Sequence, residues 1–148
     1  VCAILALTLV SRYLRSMLTP GLRREEDLVT TAADSAAAGL AIVPDVFASA
    51  KMIYFIECVC ARLIAEHLQP GETSVGVEFA ISHVAPTPIG MRVHVSVEVV
   101  EVERRSVVFS VEARDEVDVI GRGRHGRMVI DGARFMKRVA EKAAAKPQ

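Results

Sequence analysis

Between residues 47 and 68 the chain reads FASAKMIYFIECVCARLIAEHL, an apolar run with one carboxylate, Glu57, near its centre. The run is long enough for about six helical turns. Asp45 or Ser49 offers a start signal, and QPGE, just beyond Leu68, offers a stop. Few folds accept such a helix. It is apolar on most of its circumference, so one flat sheet cannot cover it. Glu57 adds a second constraint, because burying an unpaired charge costs several kcal/mol or more. It needs a polar partner in the core, and the expectation is that His83 supplies it across the helix–sheet contact.

The rest of the chain supplies strands. TPGLRREED (residues 19–27) reads as a turn and a charged entry, and LVTTAADSA (28–36) as a short strand. After the helix, Val75, Val77, Phe79, Ile81 and His83 alternate along SVGVEFAISHVA. Val93, Val95, Val97 and Val99 alternate with polar residues in MRVHVSVEVVEV, and ERR makes a tight connection to SVVFSVEARDE. VIGRGRHGRMVI is a further strand, and GARFMKRVAEKAAAK an amphipathic terminal helix. Consecutive strands joined by short turns form an antiparallel sheet with one covered face. The fold class expected is α+β: a hotdog fold, with a curved antiparallel sheet wrapped around a long central helix and a second copy covering what the sheet leaves bare.

Composition excludes several function classes. The 148 residues fit one domain, and 51% hydrophobic with 24% charged residues suits a packed core. Eighteen basic residues balance eighteen acidic ones, which argues against a nucleic-acid partner. The balance is uneven, since residues 120–148 carry eight basic and two acidic side chains. Cys2, Cys58 and Cys60 lack CxxC or Cys/His spacing, so neither a disulfide framework nor a zinc site is expected. Cys58 and Cys60 read as buried small hydrophobes in a reducing, cytoplasmic compartment. The opening VCAILALTLV is too short to span a bilayer, which needs roughly 20 residues, and basic residues follow it rather than precede it. It reads as a packing helix or as a start placed upstream of Met17, and a membrane partner is not expected.

Three polar residues fall where core should be: Ser49 at the helix start, Glu57 eight residues on, and His83 on the next strand. A hydroxyl, a carboxylate and an imidazole are the parts of general base work or of an activated nucleophile. Taken singly each has a plainer role: a helix cap, a solvent-facing charge or partner of Arg62, and a hydrogen-bonded core histidine. Gly76 marks a strand position where another backbone or a ligand approaches closely.

The stretch VFASAKMIYFIECVCARLIAEHLQPGETSVGVEFAISHVAPTPIG, with ARDEVDVIGRGRHGRMVI and RF later, resembles the fluoroacetyl-CoA thioesterase-like family of hotdog thioesterases. The resemblance covers about residues 19–138, leaving 1–18 as an N-terminal extension and 139–148 as a helix end and tail. It rests on a hydroxyl residue after FA, a glutamate eight later, then SVG and a histidine seven after that glycine. The family's catalytic threonine, glutamate and histidine fall on Ser49, Glu57 and His83. Its substrate-contacting glycine falls on Gly76, beside Val77, and the arginine of its H-x-R element on Arg127. Aromatic lid residues of the fluoroacetyl-specific member fall on Leu40 and Val43, which are aliphatic, so a different acyl group is expected. RHGR stands where THER is usual.

The resemblance implies hydrolysis of an acyl-CoA thioester in a homodimer, with no cofactor beyond the coenzyme A of the substrate. His83 would take a proton from water or from Ser49, and Glu57 would orient the imidazole. The alternative gives the base role to Glu57. Aliphatics at Leu40, Ile42, Val43 and Phe47 suggest a short or medium acyl chain, and Arg104, Arg105, Arg122, Arg124 or Arg127 would meet the CoA phosphates. A non-catalytic acyl-CoA or small-ligand binding protein on the same fold is the competing reading. A dehydratase acting on acyl thioesters is a third.

Overall fold

The computed structural model describes residues 18–146. The opening apolar segment, its Met17 alternative and Cys2 lie outside the described residues. The elements run β1 (Arg23–Val29), two 3-10 turns (Ala32–Asp34 and Ala36–Ala38), α1 (Ser49–Ala65), β2 (Glu72–His83), β3 (Arg92–Glu103), β4 (Ser106–Arg114), β5 (Val119–Asp131) and α2 (Gly132–Ala144). The five strands form one sheet in the order β1-β3-β4-β5-β2, every neighbour antiparallel. The curved sheet around one long helix is the architecture expected.

Alternation in β3 and β4 drives the packing. Val95, Val97 and Val99 pair across with Ala113, Val111 and Phe109 on the concave face, and all six, with Val93 and Val107, are buried. Against them α1 turns Met52, Ile56, Val59, Cys60, Leu63 and Ile64, also buried. Each fully buried aliphatic side chain contributes about 1.5–3 kcal/mol. Burial pushes the Cys60 thiol up to about 12, so it behaves as an apolar core residue, as expected from its spacing. Part of α1 stays uncovered. Tyr54 is 65% exposed, and Cys58 and Ala61, on the same side one and two turns further on, are only half-buried.

Three local expectations change. The first strand is Arg23–Val29, not residues 28–36; past Val29 the chain enters the two 3-10 turns, Ala32–Asp34 and Ala36–Ala38. β1 alternates in burial, but with charged rather than apolar residues on its inner face as far as Glu26. Arg24 and Glu26 face α1, where Glu26 accepts from Arg62 at 2.8 and 2.5 Å and Arg24 pairs with Glu66. The outer side chains pair along the sheet, as in Arg23–Glu98 at 2.7 Å.

The second change is at the start of α1. Neither Asp45 nor Ser49 caps it. Ala48 is the N-cap, without a side-chain cap bond, and Asp45 accepts from Ser35 Oγ at 2.6 Å.

The third is a bulge in β2. Gly76 pairs with Arg127 but Glu78 pairs with Gly126, so Val77 is the extra residue. A bulge reverses the facing of all that follows. Ser74 and Gly76 therefore face α1 together with Phe79, Ile81 and His83, while Val75 and Val77 do not share that face. Val77 is 56% exposed.

Candidate functional site

The side chains singled out by sequence gather at two poles of the α1–β2 contact. At the first turn of α1, Ser49 Oγ lies 2.7 Å from His83 Nδ1 at the end of β2. With a proton on the hydroxyl and none on Nδ1, the serine donates and the imidazole is placed to take its proton. His83 Nε2 is shielded from water and has no hydrogen-bond partner among the described residues. A cleft of about 340 Å³ opens beside this pair, lined by Ala36, Val46, Phe47, Ala85 and Pro86. Phe47, 1% exposed, forms its floor.

The second pole surrounds Glu57. Its carboxylate does not reach His83. Glu57 Oε1 instead accepts from Arg127 Nη1 at 3.1 Å, and Arg62, the other partner considered, is engaged by Glu26. The reason is distance along the helix, since eight residues at 1.5 Å each separate Ser49 and Glu57 by about 12 Å. Arg127, with a side chain only 4% exposed, also donates Nε to Ser74 Oγ at 3.1 Å and Nη2 to Ser74 O at 3.0 Å. It is turned inward onto Glu57 rather than outward to meet phosphates. Beside it lies His125, fully buried, with Nδ1 2.8 Å from Glu78 O and Nε2 3.3 Å from Arg127 Nη1. Phe79 stacks on its ring at 4.4 Å between centroids. Burial and, less strongly, the Arg127 charge lower the His125 pKa, against the opposing effect of the Glu78 carbonyl.

Gly76 lets this pole close. A Cβ there would sit 2.6 Å from Glu57 Oε1, 2.9 Å from Phe79 Cζ and 3.2 Å from His125 Cε1. The remaining sequence candidates stand apart. Leu40 is 54% exposed and Val43 half-buried, both in the loop before α1, and neither lines the cleft beside Ser49. Sequence reasoning missed His125, Ser74 and Phe79. The H-x-R spacing pointed to His125 as much as to Arg127, but the bulge that brings Phe79 and Ser74 to the same face leaves no comparable mark. Among the described residues no group of His, Cys, Asp and Glu could hold a metal ion, and no helix is long and apolar enough to cross a membrane.

Comparison with known proteins places this geometry in a family. Residues 24–133 match the model of the FlK family, fluoroacetyl-CoA-specific thioesterase. The fluoroacetyl-CoA thioesterase of Streptantibioticus cattleyicolor is 41% identical over 102 residues, covering 69% of this chain and 73% of that protein. A solved structure of the fluoroacetyl-CoA thioesterase FlK superposes with a TM-score of 0.82 at 34% identity, covering 88% of this chain and 99% of that one. A Thermus thermophilus thioesterase superfamily member superposes at 0.80 with 26% identity, covering 88% and 98%. The hotdog fold expected from the sequence is thereby shown, and the chain belongs to the fluoroacetyl-CoA-specific thioesterase family.

Proposed function

We propose that this protein hydrolyses short or medium acyl-CoA thioesters to the free acid and coenzyme A, using Ser49, His83 and Glu57. Family membership supports the thioester substrate. The observation that carries the residue assignment is the 2.7 Å contact between Ser49 Oγ and His83 Nδ1. His83 accepts the proton as Ser49, or a water that Ser49 positions, attacks the thioester carbonyl; the CoA thiolate then leaves and is protonated. If serine attacks, a water releases the acyl group in a second step. Because Ser49 is bound to His83 rather than capping α1, the first N–H groups of the helix keep no side-chain cap. Those donors and the positive end of the helix dipole suit the oxyanion. The apolar cleft floored by Phe47 suits a short or medium acyl chain.

The working unit in this proposal is a homodimer. β2 is an edge strand carrying Val77 and Phe79 exposed, at 56% and 45%, whereas the opposite edge, β1, is charged. An edge strand that exposes apolar side chains, here with Glu78 as the one charge between them, is a template for strand pairing. Antiparallel self-pairing of β2 would carry the His83 end of one strand alongside the Gly76 half of the other. That brings Ser49 and His83 of one copy toward the partner's Glu57 and spans the roughly 12 Å separation within one chain. It also covers the bare side of α1 around Tyr54, Cys58 and Ala61. The free thiols Cys58 and Cys60 suit a reducing, cytoplasmic setting.

A panel of acyl-CoAs with a free-thiol readout tests the function. Turnover on one chain-length class, lost in His83→Ala, is expected. Binding without turnover on every member overturns the assignment in favour of an acyl-CoA binding protein.

A further inference from the structure

His125 is a buried histidine with both ring nitrogens engaged. The Glu78 carbonyl oxygen, 2.8 Å from Nδ1, can only accept, so Nδ1 carries the proton. Nε2 is then a bare lone pair, and it faces a donor, Arg127 Nη1, at 3.3 Å. The same Nη1 reaches Glu57 Oε1 at 3.1 Å. The other side of the guanidinium is tied to Ser74 through Nε and Nη2. Arg127 is thus held from two directions, by Ser74 behind and His125 beside, with its remaining reach directed at the carboxylate.

We propose that His125 is a positioning residue: its neutral imidazole, fixed in the Nδ1–H tautomer by the Glu78 carbonyl, acts as an acceptor that aims Arg127 at Glu57. The inference rests on the thioesterase reading, in which Glu57 takes part in the reaction. A cationic His125 would place a second positive charge against Arg127 and remove the lone pair that holds it. The groups facing the imidazole are Arg127 on its own strand, the Glu78 carbonyl and Phe79 ring on β2, and Glu57 on α1 beyond Arg127. The fold keeps the ring neutral by burying it. The H-x-R spacing sets His125 and Arg127 on one face of β5, but only the contacts give the histidine this role.

Two variants and one spectrum test it. His125→Phe keeps the ring stacked on Phe79 but removes the acceptor. It should lower kcat about 10- to 100-fold with KM little changed, the scale expected when a reacting group is misplaced by up to about 1 Å. His125→Gln sets an amide oxygen where Nε2 stood and should recover most of that loss. In an Arg127→Ala background His125→Phe should cost nothing further, because its effect passes through the arginine. Nitrogen NMR of the folded protein should find the His125 proton on Nδ1 at neutral pH. Turnover in His125→Phe within threefold of the parent, equal loss in both His125 variants, full additivity with Arg127→Ala, or a proton on Nε2 would each overturn the proposal. Failure of the thioesterase reading looks different, since the unaltered protein would then turn over no acyl-CoA, and the NMR tautomer would still decide the role of His125.

Discussion

Gly76→Ala adds one methyl group at the point where the Glu57 pole is tightest. The new Cβ would lie 2.6 Å from Glu57 Oε1 and 2.9 Å from Phe79 Cζ, and neither neighbour is backbone. Phe79 is 45% exposed and the Glu57 side chain 32%, so both can yield toward solvent. The fold should therefore absorb the change for about 1–2 kcal/mol, in the low range for overpacking, seen as a fall of a few degrees in Tm. The carboxylate has less freedom. To regain ordinary contact it must retreat by roughly 0.8 Å, which weakens its bond to Arg127 and, at about 100-fold in rate per ångström of misplacement, should cut kcat on the order of tenfold to a hundredfold. Steady-state hydrolysis of the best acyl-CoA, with thermal denaturation of the same samples, separates the two effects. Turnover within threefold of the parent in a protein of unchanged Tm would refute the reasoning that Gly76 is there to let Glu57 approach.

Other outcomes follow from the same geometry. Ser49→Ala should lower kcat by about 10²–10⁴-fold, the usual scale for losing a positioned proton-transfer partner, while Ser49→Thr, which keeps the hydroxyl, should retain at least tenfold more than the alanine variant. Val77→Lys places a charge on the exposed edge of β2 and should shift the protein to monomers in sedimentation analysis with loss of turnover, whereas a persisting active dimer would remove β2 as the pairing edge. Arg62, and secondarily Arg24, hold the Glu26 carboxyl below its ordinary value against the opposing effect of burial. A depressed folded pKa gives stability that is present above about 4.5 and lost as pH falls through the folded value. The parent should therefore lose more urea resistance than Glu26→Gln between pH 7 and pH 3, by about 1 kcal/mol for a half-exposed network, and equal losses would contradict it.

What sequence revealed followed the strength of its periodicity. The apolar run of the central helix and the alternating valines of β3 and β4 are strong patterns, and these elements, with β2 and β5 between turn signals, appear where the sequence places them. β1 escaped because Arg23 to Asp27 are all charged and carry no hydrophobic alternation, and a solvated turn and an ion-paired edge strand have the same composition. The Val77 bulge escaped because one inserted residue inverts a strand's facing without altering its composition. Simple alternation sets Val75 and Val77 on the His83 face, and the bulge turns them off it. Ser49 and His83 were correctly drawn toward each other by the packing of α1 on β2. Joining Glu57 to them required ignoring two helical turns, and within one chain the carboxylate finds Arg127 instead.

The central claim is that the Ser49–His83 pair works with Glu57 of a second copy. Mixing two inactive variants, His83→Ala and Glu57→Gln, under conditions where subunits exchange tests it most directly. If the site is shared, each mixed dimer holds one site with both changes and one with neither, so random exchange of equal amounts should restore about a quarter of the parent activity. If each chain carries its own complete site, every site in the mixture stays damaged and activity remains at the level of the separate variants, which would contradict the account.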